Sequence, residues 1–276
     1  MSPAPVQARS LTIVLPAYNE EGRLEPALDE LFGYLRRRGK AGRDGAPGAA
    51  SLPAAVDVLV VDDGSTDRTA SIVRARPETG GGADGEPRLE LLTVAHGGKG
   101  AAVRAGMLAA TGDLAIFADA DMATPPDQLP LLIAALGNND VALGSRIQPD
   151  GSDMRRTQPG YRRLLGRVYH VFASAWVAGP VRDTQCGFKG FTKAAAQDLF
   201  GQQRVTSIVF DVELIYLARR RGYAVATVPI QWSDKRGSRM RARPALALRV
   251  AWDLVRIPFL HRGVRRAPAT ERTPPA

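Results

Sequence analysis

Short apolar runs alternate with stretches of helical period through the first half of the chain. Residues 11–15 (LTIVL), 56–61 (VDVLVV), 89–94 (LELLTV) and 114–118 (LAIFA) are strand length and mostly apolar. Strands of that kind are buried on both faces, as in a parallel sheet. Between them, residues 24–38 carry apolar side chains at 24, 27, 28, 31, 32 and 35, the spacing of one helix face. Residues 68–76 and 101–110 read as further helices, the first capped by Thr66 or Asp67 and the second ended by Gly112. A helix over 129–136 and a strand over 140–144 continue the pattern. Strand and helix in alternation predict an α/β fold, a mostly parallel central sheet flanked by helices. Gly-, Pro- and Ala-rich segments at 39–55 and 77–88 are expected to be flexible loops.

The pattern changes after Arg146. A polar loop at 148–160 leads to a basic, aromatic-bearing amphipathic stretch at 161–177 and a compact motif with short strand potential at 183–191. A helix over 209–221, a strand over 224–232, a basic loop at 233–243 and an amphipathic helix over 245–257 complete the series. The expected organisation is a disordered lead-in at 1–9, one domain over 10–243 in two halves (10–146 and 147–243), an amphipathic helix within 244–261, and a disordered basic tail at 262–276.

Each strand of the first half stops at a polar motif, and open parallel sheets bind ligands beyond those carboxyl ends. The fourth strand runs into Asp119 and Asp121, two carboxylates on the same side of the chain. Crowded carboxylates repel unless a positive charge lies between them. A divalent cation, Mg²⁺ or Mn²⁺, supplies one, and phosphate oxygens complete its shell. Pro16, Tyr18 and Glu20 end the first strand, and Asp62 and Asp63 the second. Tyr18 offers a ring to a base, and Glu20 with Asp62 or Asp63 offers acceptors for base N–H groups or ribose hydroxyls. Lys99 offers charge to a phosphate, and Gly97, Gly98 and Gly100 allow close backbone approach at a helix start. That inventory describes a nucleoside diphosphate with its metal. Neither a G-x-G-x-x-G after a strand nor a P-loop is present.

Composition narrows the field only a little. The 276 residues are 45% hydrophobic and 24% charged, an ordinary globular balance. The net charge of +9 suits anionic lipid, nucleic acid or phosphorylated substrates. The basic loops lack the interleaved strand aromatics of a single-strand binder, so no nucleic-acid partner is expected. A lone Cys186 rules out an internal disulfide and a cysteine zinc site, and the three histidines do not cluster. No signal peptide and no apolar run of ~18 residues is apparent, so no transmembrane helix is expected.

LPAYNEEGRL, VVDDGSTDRT, GKGAAVRAG, FADADMATPPDQL and GSR, in that order, resemble the family 2 glycosyltransferases, inverting enzymes with the A-type nucleotide-sugar fold. The resemblance spans roughly residues 10–245. DTQCGFKGF, FDVELIYLARRRGY and VPIQWSDKRGSRM look like the dolichyl-phosphate β-glucosyltransferases among them. The resemblance implies transfer of glucose from UDP-glucose to a polyprenyl phosphate. GDP-mannose as donor, a soluble glycan as acceptor and a nucleotide-sugar sensor are the alternatives. It further implies a nucleotide-sugar half at 10–146, an acceptor half at 147–243, and a metal held by Asp121 and Asp119. Arg146, Arg162, Arg163, Arg236 and Arg239 are implied to hold the acceptor phosphate or the diphosphate. Asp211 is implied to be catalytic, either as the general base that relatives use on sugar hydroxyls or, with a phosphate acceptor, to orient the sugar or an arginine, and Glu213 to do so or to face the helix dipole. The implied location is peripheral, on the cytoplasmic face of a membrane. The 161–177 and 245–260 segments are expected at the lipid surface, with a possible partner protein as anchor.

Overall fold

The computed structural model describes residues 8–43, 52–81, 86–154, 177, 179, 181–233 and 244–267. In chain order the elements are β1 (Ser10–Ala17), α1 (Leu24–Arg43), β2 (Ala55–Asp62), α2 (Thr69–Ala75), β3 (Arg88–Thr93), α3 (Lys99–Ala109) and β4 (Leu114–Ala118). A 3₁₀ turn (Pro126–Gln128) leads into α4 (Leu129–Leu136) and β5 (Val141–Ser145). The second half supplies β6 (Phe188–Thr192), α5 (Lys193–Gln202), α6 (Phe210–Arg221), β7 (Val225–Pro229) and α7 (Pro244–Leu260).

The strands form one seven-stranded sheet in the order β3-β2-β1-β4-β6-β5-β7. Every pairing is parallel except those of β6, which runs antiparallel to both β4 and β5. The apolar side chains alternate between two cores. Val14, Val61, Phe117 and Leu143 pack with α3, α5 and α6 on one face. Ile13, Val58, Val60 and Ile116 pack with α1 and α4 on the other. Ala17 pairs with Asp62, and Asp62 with Thr93, so β1, β2 and β3 end level. The polar motifs that follow them are therefore delivered to one edge.

Several boundaries differ from expectation. The segment at 183–191 supplies an interior strand, β6, and the next ten residues form α5, for which the sequence reading had no element. Its signal was present: Thr192 accepts a hydrogen bond from the Ala195 N–H, and Ala195, Ala196, Leu199 and Phe200 are the buried stripe. The helix expected from Arg68 begins at Thr69. Asp67 Oδ1 accepts from the Thr69 N–H at 2.9 Å, whereas Thr66 gives its N–H to Asn19 Oδ1 at 2.8 Å. The last strand stops at Pro229, short of residue 232, because its chain leaves the sheet edge after pairing with Ser145. The described part of the tail lies against α6: Ala267 N–H donates to the Arg221 carbonyl at 2.8 Å.

Candidate active site

Asp119 follows the last residue of β4, and its N–H bonds to the Gly187 carbonyl at 3.1 Å. A Cβ on Gly187 would overlap the Asp119 carboxylate, so glycine there makes room for the acid. Asp121 stands two residues on, and its Oδ1 accepts from the Ala123 N–H at 3.1 Å. Burial, then the neighbouring charge of Asp119, raises the Asp121 pKa. A cation between the two would relieve both effects.

Two cations already lean on this pair. Lys99, the first residue of α3, places Nζ 2.5 Å from Asp119 Oδ1. Burial works against its charge, but Asp119, Asp211 and Asp121 outweigh that and raise the Lys99 pKa. Arg23 Nη1 lies 3.9 Å from Asp121 Oδ2 while its fork holds Glu20 at 2.7 and 2.8 Å. Arg23 lay within the LPAYNEEGRL motif without a role; only the fold shows that the turn after β1 faces Asp121.

The acids at the end of β2 have structural partners. Asp63 accepts the N–H groups of Gly97 and Gly98 at 2.8 and 2.9 Å, with His96 Nδ1 2.9 Å from Oδ2. Asp62 Oδ1 accepts from the Ser65 N–H at 3.0 Å. Asp63 therefore fixes the turn that presents Lys99, and its carboxylate is not turned outward toward a base. Tyr18, 41% exposed, stacks on His96 with ring centroids 4.2 Å apart. Pro16, by contrast, lies within β1, paired with Val61. Asn19 and Met122 both have positive φ, 53° and 49°. These two strained backbone positions border the same cleft, as strain at functional sites does.

Arg146 differs most from its expected role. Its Nε and Nη2 are engaged by Asp183 at 2.8 and 2.7 Å, its backbone N–H bonds to the same carboxylate, and its guanidinium lies 5.6 Å from the Trp232 ring centroid. That pairing outweighs burial and raises its pKa further. Arg146, expected to hold a phosphate, thus gives its Nε/Nη2 fork to a partner 37 residues away. Cys186, next to this pair in space, is a thiol pushed up to about 12 by burial and then by Asp183, so it stays protonated at neutral pH.

Asp211 is buried near the start of α6, with Oδ1 2.6 Å from Lys189 Nζ. Burial raises its pKa, against the pull of Lys189 and Lys99. Glu213 faces the loop before α6 and not solvent. It accepts the N–H groups of Arg204 and Val205, both at 2.9 Å, and meets His261 Nε2 at 2.7 Å. Arg162, Arg163, Arg236 and Arg239 lie outside the described residues. Among the described residues no cluster of three or more His, Cys, Asp or Glu side chains offers a metal site. The acidic pair alone provides carboxylate oxygens, and substrate phosphates commonly complete a shell of that type.

The sequence and the fold match known proteins. The family model described as Glycosyl transferase family 2 matches residues 12–200. The chain is 36% identical to Dolichyl-phosphate beta-glucosyltransferase ALG5C of Trichomonas vaginalis over 259 residues, 91% of this chain and 71% of that protein. It is also 36% identical to the Dolichyl-phosphate beta-glucosyltransferase of Drosophila melanogaster over 237 residues, 83% of this chain and 69% of that one. Glucosyl-3-phosphoglycerate synthase from Mycobacterium tuberculosis, crystallised with Mn²⁺, UDP-glucose and phosphoglyceric acid, has the same fold. The TM-score is 0.61 at 20% identity, over 93% of this chain and 80% of that one. The match over most of the domain, with the acidic pair, Lys99 and the strand-end motifs in one cleft, leads to one conclusion: the chain belongs to glycosyl transferase family 2.

Proposed function

We propose that this chain transfers glucose from UDP-glucose to a polyprenyl phosphate, with inversion at the anomeric carbon. The observation that carries the reading is the Lys99–Asp119–Asp121 cluster at the carboxyl edge of the sheet, in a chain 36% identical to proteins named for glucose transfer to dolichyl phosphate. Asp119 and Asp121 would hold Mg²⁺ or Mn²⁺; the same-fold synthase was crystallised with each of them and UDP. When bound, such an ion offsets charge that grows on the leaving diphosphate.

The remaining work belongs to the protein. Lys99 meets the diphosphate beside Asp119, on a helix start whose Gly97 and Gly98 N–H groups are held by Asp63. Tyr18, on its His96 platform, presents a ring face to the base. An acceptor phosphate is anionic at neutral pH and attacks without a general base, so orientation and charge complementarity carry the rate. Asp211, buried and paired with Lys189, acts on Lys99 from behind the cleft and takes no proton from the acceptor. Arg146 holds Asp183 and Trp232 just past β5 and meets a phosphate through the Nη1/Nη2 end that Asp183 leaves open.

A lipid acceptor requires contact with a membrane. Among the described residues no helix is long and apolar enough to cross one. α7 offers a surface instead. Leu254 and Ile257 are buried, while Trp252 and Phe259 are 64% and 50% exposed. Arg249, Arg256 and Arg262 flank them, the last with its guanidinium 4.6 Å from the Phe259 ring centroid. Aromatic and arginine side chains on one helix face suit a headgroup layer. That helix supports a peripheral position at a membrane surface in this reading.

The test is a panel of UDP- and GDP-sugars with purified protein, Mn²⁺ or Mg²⁺, and a short polyprenyl phosphate. Label from UDP-glucose is expected to enter the organic phase fastest. Turnover of GDP-mannose alone overturns the donor assignment, and a product that stays in water overturns the acceptor.

A further inference from the structure

Lys189 is a cation with 0% exposure in the middle of the sheet, and no step described above uses it. It sits in β6 opposite Phe117 of β4. An ammonium is costly to bury unless paired and hydrogen-bonded. Here Nζ lies 2.6 Å from Asp211 Oδ1, donates to the Cys186 carbonyl at 2.5 Å, and stands 5.4 Å from the Phe117 ring centroid. Asp211 in turn acts on Lys99, which also feels Asp119 and Asp121. Charges therefore alternate from the core to the cleft: Lys189, Asp211, Lys99, then the acidic pair. Lys99 thus feels two carboxylates that could claim it, Asp211 and Asp119. It is found on Asp119 at 2.5 Å, while Asp211 has a cation of its own.

We propose that Lys189 is a positioning residue for the donor site: by engaging Asp211 it leaves Lys99 to Asp119, where the donor diphosphate binds. The inference rests on the nucleotide-diphosphate reading above. Lys189 touches neither substrate and acts only through Asp211 and Lys99. Without it, a buried carboxylate lacks its cation, and Lys99, which already feels the charge of Asp211, is drawn toward it.

Calorimetric titration of UDP in saturating Mn²⁺ tests this on the full chain, with no turnover needed. Lys189→Met and Lys189→Gln are each expected to weaken UDP binding at least about tenfold. Asp211→Asn removes the competing carboxylate and is expected to stay within about threefold of the wild type, as is Lys189→Met combined with Asp211→Asn. That asymmetry separates positioning from a merely structural ion pair, for which all single variants lose affinity alike. Equal loss in the three single variants, or unchanged affinity in Lys189→Met, overturns the proposal. If Lys189→Met does not fold, the double variant, which buries no lone charge, decides: affinity at least about tenfold below wild type overturns the proposal. A wild-type chain that binds no UDP overturns the nucleotide reading beneath it.

Discussion

Glu78 lies in a segment whose glycines suggest a loose loop, yet its side chain is only 9% exposed. Arg76 donates to it at 3.0 and 3.1 Å and Arg36 at 2.9 Å. Burial pulls its pKa up, but the hydrogen bonds from Arg76, its own backbone N–H and Arg36 prevail and lower it. A carboxylate with a depressed folded-state pKa adds stability above its unfolded value and loses it as pH falls through the folded one. Glu78→Gln is therefore expected to cost about 1–2 kcal/mol at pH 7, and the difference should begin to shrink once pH falls below about 4 and go on shrinking as Glu78 takes up its proton in the folded state. Urea unfolding of both proteins across that range checks it; a constant difference contradicts it. The same contrast governs the cleft. Asp119 and Asp121 were legible in the sequence as an acidic motif after an apolar run, though both stand in the turn that follows β4 and not on the strand. Lys189 was not, since an isolated lysine in an apolar strand reveals no partner, and Asp211 lies 22 residues away. Arg146 was legible as a residue of the site but not as the partner of Asp183.

The elements of the first half follow from periodicity because each β-α unit is local in the chain. β6 does not, since an apolar run fixes burial and not neighbours: its place between β4 and β5 depends on contacts far away in sequence. The approach to α6 is similar. Glu213 binds two backbone N–H groups of the preceding loop on one side and His261, just past α7, on the other. Thr206, in the same loop, accepts the Gly100 N–H at 3.0 Å, which ties this assembly to the start of α3 and hence to Lys99. Glu213→Gln turns one acceptor into a donor facing a donor. A loss of about 2–4 kcal/mol in denaturant unfolding is expected. A loss under about 0.5 kcal/mol would show that the latch carries little.

At the scale of the molecule, the net charge of +9 acquires a direction only in the fold. The arginine runs at 219–221 and 262–266 are separated in sequence but meet in space. Arg220 donates to the Val264 carbonyl at 3.4 Å and Arg221 to that of Arg265 at 2.9 Å. Arg262, with its guanidinium 4.6 Å from the Phe259 ring centroid, joins this cluster to the exposed aromatic side chains of α7. Each basic residue near an anionic surface contributes about 1 kcal/mol, an effect that salt screens. Sedimentation with anionic vesicles should therefore exceed that with neutral ones and fall with salt. The combined Trp252→Ser and Phe259→Ser change is expected to weaken it about tenfold. Equal binding to neutral vesicles, or no effect of the substitutions, contradicts a membrane role for this face.

The central claim is that Asp119 and Asp121 hold a cation and, with Lys99, the donor diphosphate. Its most direct test is transfer of labelled glucose from UDP-glucose to a polyprenyl phosphate in Mn²⁺, comparing the wild-type chain with Asp121→Asn. A loss of about 100-fold or more in kcat/KM, about 3 kcal/mol, is expected with the fold intact by circular dichroism. Transfer by Asp121→Asn within about threefold of the wild type would contradict the account.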